Sequence, residues 1–306
     1  MNRILLVADV VGWIFERHCN EIKKRLSHKY HIDIAFCRGD NIRALESQYD
    51  LVYVLDPMPI NYPPKQKNIM GLRAEFLYRD NPLGPSGLYE KGWPGHCASI
   101  KDKCEILHVV NRNMLNVFKG IVTDKPLMLV QHGVDETCFD RSKFPKKDHP
   151  FTIGFSGRSN HPNQKGVDIA MAACKRTNTP FFTAQYGKGK LTKDQMPEFY
   201  TNIDAYVCLS LSEGLNNSTM EAGLMGIPTI STRSGAAEEM IRNGENGLMV
   251  DRNVDAVAEA IEKLKDDKYR KSLGDAMHEE IKQNWTWAVK IKEFEKMFDL
   301  FFEMKG

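Results

Sequence analysis

GFSGRSNHPNQKGVD, residues 154–168, is the stretch from which the fold can be read. It leaves an apolar run at Thr152–Phe155, turns at Gly157, and reaches Lys165-Gly166 where a helical pattern, Val167–Arg176, begins. A strand that gives way to a glycine-bearing loop and then to a helix is half of a parallel βαβ unit. Downstream the alternation continues. Strands are expected at Phe181–Ala184, Ala205–Leu209, Thr229–Ser231 and Gly247–Val250, and helices at Gln195–Tyr200, Thr219–Leu224 and Ala237–Arg242. Thr192 with Gln195 reads as a capping box, and everything beyond Val250 reads as helical. Upstream, strands are expected at Ile4–Ala8, Ile32–Phe36, Leu51–Leu55, Ile106–Val110 and Leu127–Val130, with helices at Phe15–Leu26 and near Asn113–Lys119. Pro57, Pro59, Pro63 and Pro64 make their stretch too rigid and donor-poor for the interior of an element. Phe144–Pro150, FPKKDHP, reads as a charged linker between the two runs. The expectation is an α/β chain of two Rossmann-like domains, residues 1–148 and 149–285, followed by a terminal helix over 286–306. Ligands of such layers sit beyond the carboxyl ends of the strands, so two facing lobes would make one cleft.

Composition narrows the class. The chain has 306 residues, 42% hydrophobic and 27% charged, which is globular and long enough for two cores. Lys and Arg total 42 against 40 Asp and Glu, a balance that argues against nucleic acid as partner. The seven cysteines form no CxxC pair, so neither a zinc site nor a disulfide framework is signalled, and a reduced, cytoplasmic setting is expected. The apolar start, MNRILLVADVVGW, is interrupted by Asp9 and does not read as a signal peptide. No run approaches the roughly 18 apolar residues of a membrane span. Peripheral contact with a membrane stays open.

Three loops carry chemistry. In the first, Gly157 lets the backbone approach an anion, Arg158 offers a planar fork and Lys165 a mobile charge. Two cations suit a diphosphate that has no metal to neutralise it; a solvated surface loop is the plainer alternative. The GxxxxGK[ST] order of a Walker loop is absent. In the second, SEGLNNSTMEAG (212–223), the turn Gly214, Leu215, Asn216, Asn217, Ser218 stands at a helix start, where N–H groups and the helix dipole favour phosphate oxygens. Glu213 at its rim could accept hydrogen bonds from sugar hydroxyls, and Glu221 from a ribose diol. Ser218-x-x-Glu221 is also a capping-box pattern, which would employ Glu221 in closing its own helix. In the third, after Ser231, Gly235 opens a helix and would frame the site beside Gly214; an ordinary αβ crossover turn is the equal alternative.

These residues resemble the retaining glycosyltransferases of family 4, which have the GT-B fold. The resemblance runs from Phe151 to Val250: the Arg158/Lys165 pair, FYTNIDAYVCLSLSEG (199–214), the E-x7-E pair Glu213 and Glu221, and the GxxGL ending at Leu248. QHGVDETCF (131–139) is similar to the family's N-G-V-D entry into the second lobe, with Gln131-His132 in place of Asn. The resemblance implies a metal-independent transferase with no cofactor. It would move a sugar from a nucleotide-sugar, a UDP- or GDP-sugar, to a glycan or glycolipid acceptor. It implies that Arg158 and Lys165 bind the donor diphosphate, Glu213 the transferred sugar and Glu221 the ribose. Asn216, Asn217 and Ser218 would give backbone donors, although relatives more often have Gly or small apolar residues at 216 and 217. No Asp-x-Asp metal motif is present. On the acceptor side Gly12 matches the family's glycine loop. Relatives carry a His after a mid-lobe strand, whereas NIMGLRAEFLYRD (68–80) has Arg73 and Glu75 instead, and His96 in WPGHC is the nearest candidate. The helix with Ile291, Phe294, Met297, Phe298 and Phe301 at helical spacing is similar to the one that crosses back to the first lobe. A nucleotide-sugar epimerase and a non-catalytic nucleotide-sugar-binding subunit are the competing readings.

Overall fold

The computed structural model describes residues 1–56, 68–73, 103–157, 162–185 and 191–306. They form two compact units, one of residues 1–132 with 290–306 and one of residues 133–289.

The first unit is built on a six-stranded sheet in the order β2-β1-β3-β4-β5-β6. Its strands are β1 Arg3–Ala8, β2 His31–Phe36, β3 Leu51–Val54, β4 Asn68–Leu72, β5 Ile106–Val109 and β6 Leu127–Leu129, paired in parallel throughout. β1, β3 and β5 are buried almost end to end, as expected of parallel strands covered on both faces. Helix Ile14–Leu26 packs on β1 and β2 with an inward stripe of His18, Ile22 and Leu26. Helix Arg112–Phe118 is started by Asn111, whose Oδ1 accepts from the Met114 N–H at 2.8 Å. The carboxyl-terminal part of helix Trp287–Glu303 belongs to this unit and gives it Phe294, Met297, Phe298 and Phe301, each without exposed surface. Tyr30 and Tyr53 stand edge-on to Phe298, with ring centroids 5.9 and 5.7 Å away, and Lys29 reaches Glu295 and Asp299. Each such aromatic contributes about 1.5–3 kcal/mol by burial, so the helix is part of the core and not an appendage.

The second unit has a five-stranded parallel sheet, β11-β10-β9-β7-β8, formed by β7 Ile153–Gly157, β8 Phe181–Gln185, β9 Ala205–Cys208, β10 Thr229–Ser231 and β11 Gly247–Met249. Ile153, Val207 and Ile230 from the sheet meet Ala170 and Ala173 of helix Val167–Arg176 and Val257 and Ile261 of helix Val254–Leu264. Counted from its own first strand, this sheet repeats the order 2-1-3-4-5 with which the first sheet begins. In that order the chain reverses direction between the first and third strands, and the crevice at their carboxyl ends is where doubly wound sheets bind ligands.

The strand β4 was not foreseen by periodicity; NIMGL is too short to show a period, and a proline-rich stretch precedes it. The two compact units divide at 132/133. The charged stretch 144–150 is pinned to the second unit: Lys146 and His149 both face Asp204, Lys147 pairs with Glu198, and His149 Nε2 bonds the Thr201 carbonyl. At the other end, unit one resumes at Lys290, and Trp285 and Thr286 are tied by backbone to Gly133–Val134. Among the described residues, no helix is long and apolar enough to cross a membrane.

Candidate active site

In the second unit the reversal point lies between β7 and β9, and the loops leaving those two strands are the first two loops singled out in the sequence. Arg158 lies outside the described residues. Lys165 ends a short helix, Pro162–Lys165, and its Nζ is ion-paired with Glu213 Oε1. The same oxygen accepts from Ser210 Oγ at 2.6 Å, while the Ser210 carbonyl accepts from Thr232 Oγ1 at 2.7 Å. The pair keeps access to solvent, with side chains 26% and 20% exposed for Lys165 and Glu213. Helix Asn217–Leu224 begins directly beyond, with Asn216 at its cap position. Asn216 turns its side chain inward to Cys208 Sγ instead of capping, and Leu215 is buried beside it. Ser218 Oγ accepts from Ser156 Oγ at 2.9 Å, tying the helix start to β7.

Glu221 does not close its own helix. Asn216, not Ser218, occupies the cap position, and Glu221 Oε2 accepts from the Tyr200 hydroxyl at 2.8 Å. The capping-box alternative is therefore not formed. Gly235 has φ +58°, and a β-carbon there would stand 2.5 Å from the Gly214 carbonyl oxygen and 2.8 Å from Glu213 Cβ. Ala236 N–H donates to that same carbonyl at 3.1 Å, so the loop after β10 braces the Glu213–Gly214 turn. Asp135 of the QHGVD stretch pairs with Lys193 and accepts from Thr137. Burial pushes its carboxyl up, but these partners outweigh it and hold it down at about 2.

The first unit gathers a second cluster at the carboxyl ends of its strands. Arg73 follows β4 and is 6% exposed. Its Nε donates to the Leu55 carbonyl at 3.1 Å and its Nη2 to the Tyr53 hydroxyl at 2.7 Å. Its Nη1 meets Nδ1 of His18 at 3.4 Å and Nδ1 of His132 at 3.3 Å, and those two rings lie 4.1 Å apart. Tyr53 in turn meets His108 Nε2 at 2.7 Å. Burial and the nearby Arg73 charge hold His108 well below the usual histidine range, and burial lifts Tyr53 to about 12 against the pull of Arg73. Gly12, with φ +78°, turns the loop after β1 and donates to Glu16. His96 lies outside the described residues. His18, Tyr53 and Ser210 were not singled out in the sequence. A histidine on the inward stripe of an amphipathic helix was the available signal for His18; Tyr53 lies inside a strand-like run and Ser210 just after one, and neither position gives a signal.

Residues 186–267 match the family described as Glycosyl transferases group 1. Over these residues the chain is similar to the group 1 glycosyltransferases. Among curated relatives, the capsular polysaccharide biosynthesis glycosyltransferase CapM of Staphylococcus aureus is 30% identical over 105 residues, 34% of this chain and 28% of CapM. A GDP-mannose-dependent alpha-(1-6)-phosphatidylinositol monomannoside mannosyltransferase of Mycobacterium tuberculosis is 32% identical over 118 residues, 35% of this chain and 31% of that protein. The matched stretches thus span about a third of each curated relative. Likeness in fold extends much further. A sucrose-phosphate synthase structure from Thermosynechococcus elongatus superposes with TM-score 0.80 at 13% identity, covering 99% of this chain and 100% of that one. HepE of Anabaena, solved with UDP and glucose, gives 0.69 at 12% identity over 98% of this chain and 100% of its own. Two Rossmann-like lobes with these neighbours in fold are the GT-B architecture expected from the sequence. The group 1 signature falls on the second unit, where β9, the Glu213 turn and the helix of Glu221 lie within the matched residues.

Proposed function

We propose that the chain is a retaining, metal-independent glycosyltransferase that moves a sugar from a nucleoside-diphosphate sugar to a hydroxyl of a glycan or glycolipid acceptor. The observation that carries this reading is the Lys165–Glu213 pair, set at the reversal point of the second sheet beside the start of helix Asn217–Leu224. A cation, a carboxylate and a helix N-terminus at one sheet edge suit the three parts of such a donor. Lys165, joined by Arg158, takes the diphosphate; the helix start adds N–H groups toward phosphate oxygens; Glu213 accepts from sugar hydroxyls. Glu221, held by Tyr200, takes the ribose diol.

In the reaction the bond from the anomeric carbon to the diphosphate oxygen breaks and the bond to the acceptor oxygen forms on the same face. The acceptor proton passes to the departing diphosphate. Glu213 already accepts from Lys165 and Ser210, which suits a binding group better than an attacking one. Lys165 moves from Glu213 to the leaving diphosphate as its charge develops, and this is where a preorganised cation has most effect on rate. The relatives named above as glycosyltransferases support the class, and the neighbours solved with UDP support a nucleotide donor.

The test is direct. Thermal shift with UDP and GDP should raise the melting temperature; a ligand at 100 times its Kd adds about 2.7 kcal/mol. Nucleoside diphosphate should then be released from UDP-glucose or GDP-mannose when an acceptor glycan pool is added. No shift with either nucleotide would overturn the reading, and release independent of any acceptor would point to the epimerase-like alternative.

A further inference from the structure

The Arg73 cluster has no part in the donor chemistry, and its hydrogen bonds constrain protonation. A guanidinium has no lone pair to offer, so in every contact it is the donor. Nη1 carries two hydrogens, and it faces one Nδ1 on His18 and one on His132. Both nitrogens must therefore be bare, and each neutral ring must carry its proton on Nε2. Protonating either ring would set N–H against N–H beside a fixed positive charge that is itself buried. Arg73 cannot swing away freely, because Nε is held by the Leu55 carbonyl and Nη2 by Tyr53.

We propose that Arg73 is a positioning residue that locks His18 and His132 in the neutral, Nε2-protonated form, so that this pair serves the acceptor side as hydrogen-bond donors and not as bases. The role on the acceptor side rests on the proposed function; the protonation state does not. Among the described residues, Tyr53, Cys19 and His108 beside this cluster are pushed away from the neutral range. Burial raises Tyr53 to about 12, lifts Cys19 further and depresses His108. Asp9 and Glu16 lie within electrostatic reach of Cys19, and Asp56 of Tyr53. With both rings unable to accept a proton, neither serves as the base for an acceptor hydroxyl.

The experiment is a histidine side-chain proton–nitrogen correlation spectrum of the full chain, with the two rings assigned through His18→Asn and His132→Asn. Both should show a bare Nδ1 and a protonated Nε2, unchanged between about pH 5 and 8, the range in which a free histidine titrates. Arg73→Leu should bring at least one ring into titration in that window, and Arg73→Lys, which still only donates, should largely restore the lock. An Nδ1–H signal or a titrating ring in the wild type would overturn the proposal even if Arg73→Leu does not fold. Once a donor and acceptor are in hand, the wild-type pH–rate profile should contain no limb that His18→Asn or His132→Asn removes, and finding one would also overturn it. If no donor turns over, the functional reading fails while the spectra still decide the protonation claim.

Discussion

Lys165 and Glu213, 48 positions apart in sequence, form an ion pair on one carboxylate oxygen, Oε1, which Ser210 also occupies. The pair places the cation expected at the diphosphate on the carboxylate expected at the sugar. A partly exposed pair of this kind contributes at most about 1 kcal/mol to stability, so a diphosphate can displace it. Lys165→Ala should leave the fold intact and lower turnover by about 10²–10³. Steady-state kinetics with a saturating acceptor check this, and near-wild-type turnover would remove Lys165 from the chemistry.

Glu221 offers a separable prediction. Its contact with Tyr200 positions the carboxylate without closing the helix start. Hydrogen bonds to a charged group are worth about 1.5–3 kcal/mol, so Glu221→Ala should weaken nucleoside diphosphate binding by about 10- to 150-fold. Titration calorimetry would read this, and the same variant should bind inorganic pyrophosphate as the wild type does. Equal loss for both ligands would mean that Glu221 acts on the phosphates.

Gly235→Ala tests the brace between two loops. The positive φ and the crowding against the Gly214 carbonyl together leave no room for a methyl group. Strain of about 1–3 kcal/mol is expected, visible as a lower urea midpoint. Donor affinity should fall with it, because relief requires the Glu213–Gly214 turn to move. A stable variant with unchanged affinity would show that the turn is not set by Gly235.

Acid should destabilise the first unit through His108. The ring is neutral in the fold, held well below the ordinary value of 6.5 by burial and by Arg73. The unfolded chain takes up that proton first, so the stabilising contribution is complete above about pH 6.5 and is lost as pH falls toward the folded value. Urea midpoints should drop between about pH 7 and 5 and drop less steeply in His108→Gln. A midpoint insensitive to pH in this window would contradict the assignment.

Much of this was legible because apolar runs and glycine turns are local. Val167–Arg176 and Thr229–Ser231 match their expected limits. What was not legible depends on the register of strands distant in sequence. Tyr53, Arg73 and His108 stand on or directly after β3, β4 and β5, neighbours only once those strands pair, and His18 joins them from a helix packed on β1. The fate of the Ser218–Glu221 pattern turned on a cap position one residue pair earlier, which pattern alone does not resolve.

The unit that contains the amino terminus also contains residues 290–306, whereas the other is one uninterrupted stretch, 133–289. During synthesis the uninterrupted unit can close as soon as its own strands have emerged. The earlier-made sheet must wait, with the surface that receives Phe294, Phe298 and Phe301 uncovered, until more than half of the chain has followed it. Order of appearance and order of completion are thus inverted, and the interval between them is when this chain is most exposed to aggregation and most dependent on chaperones.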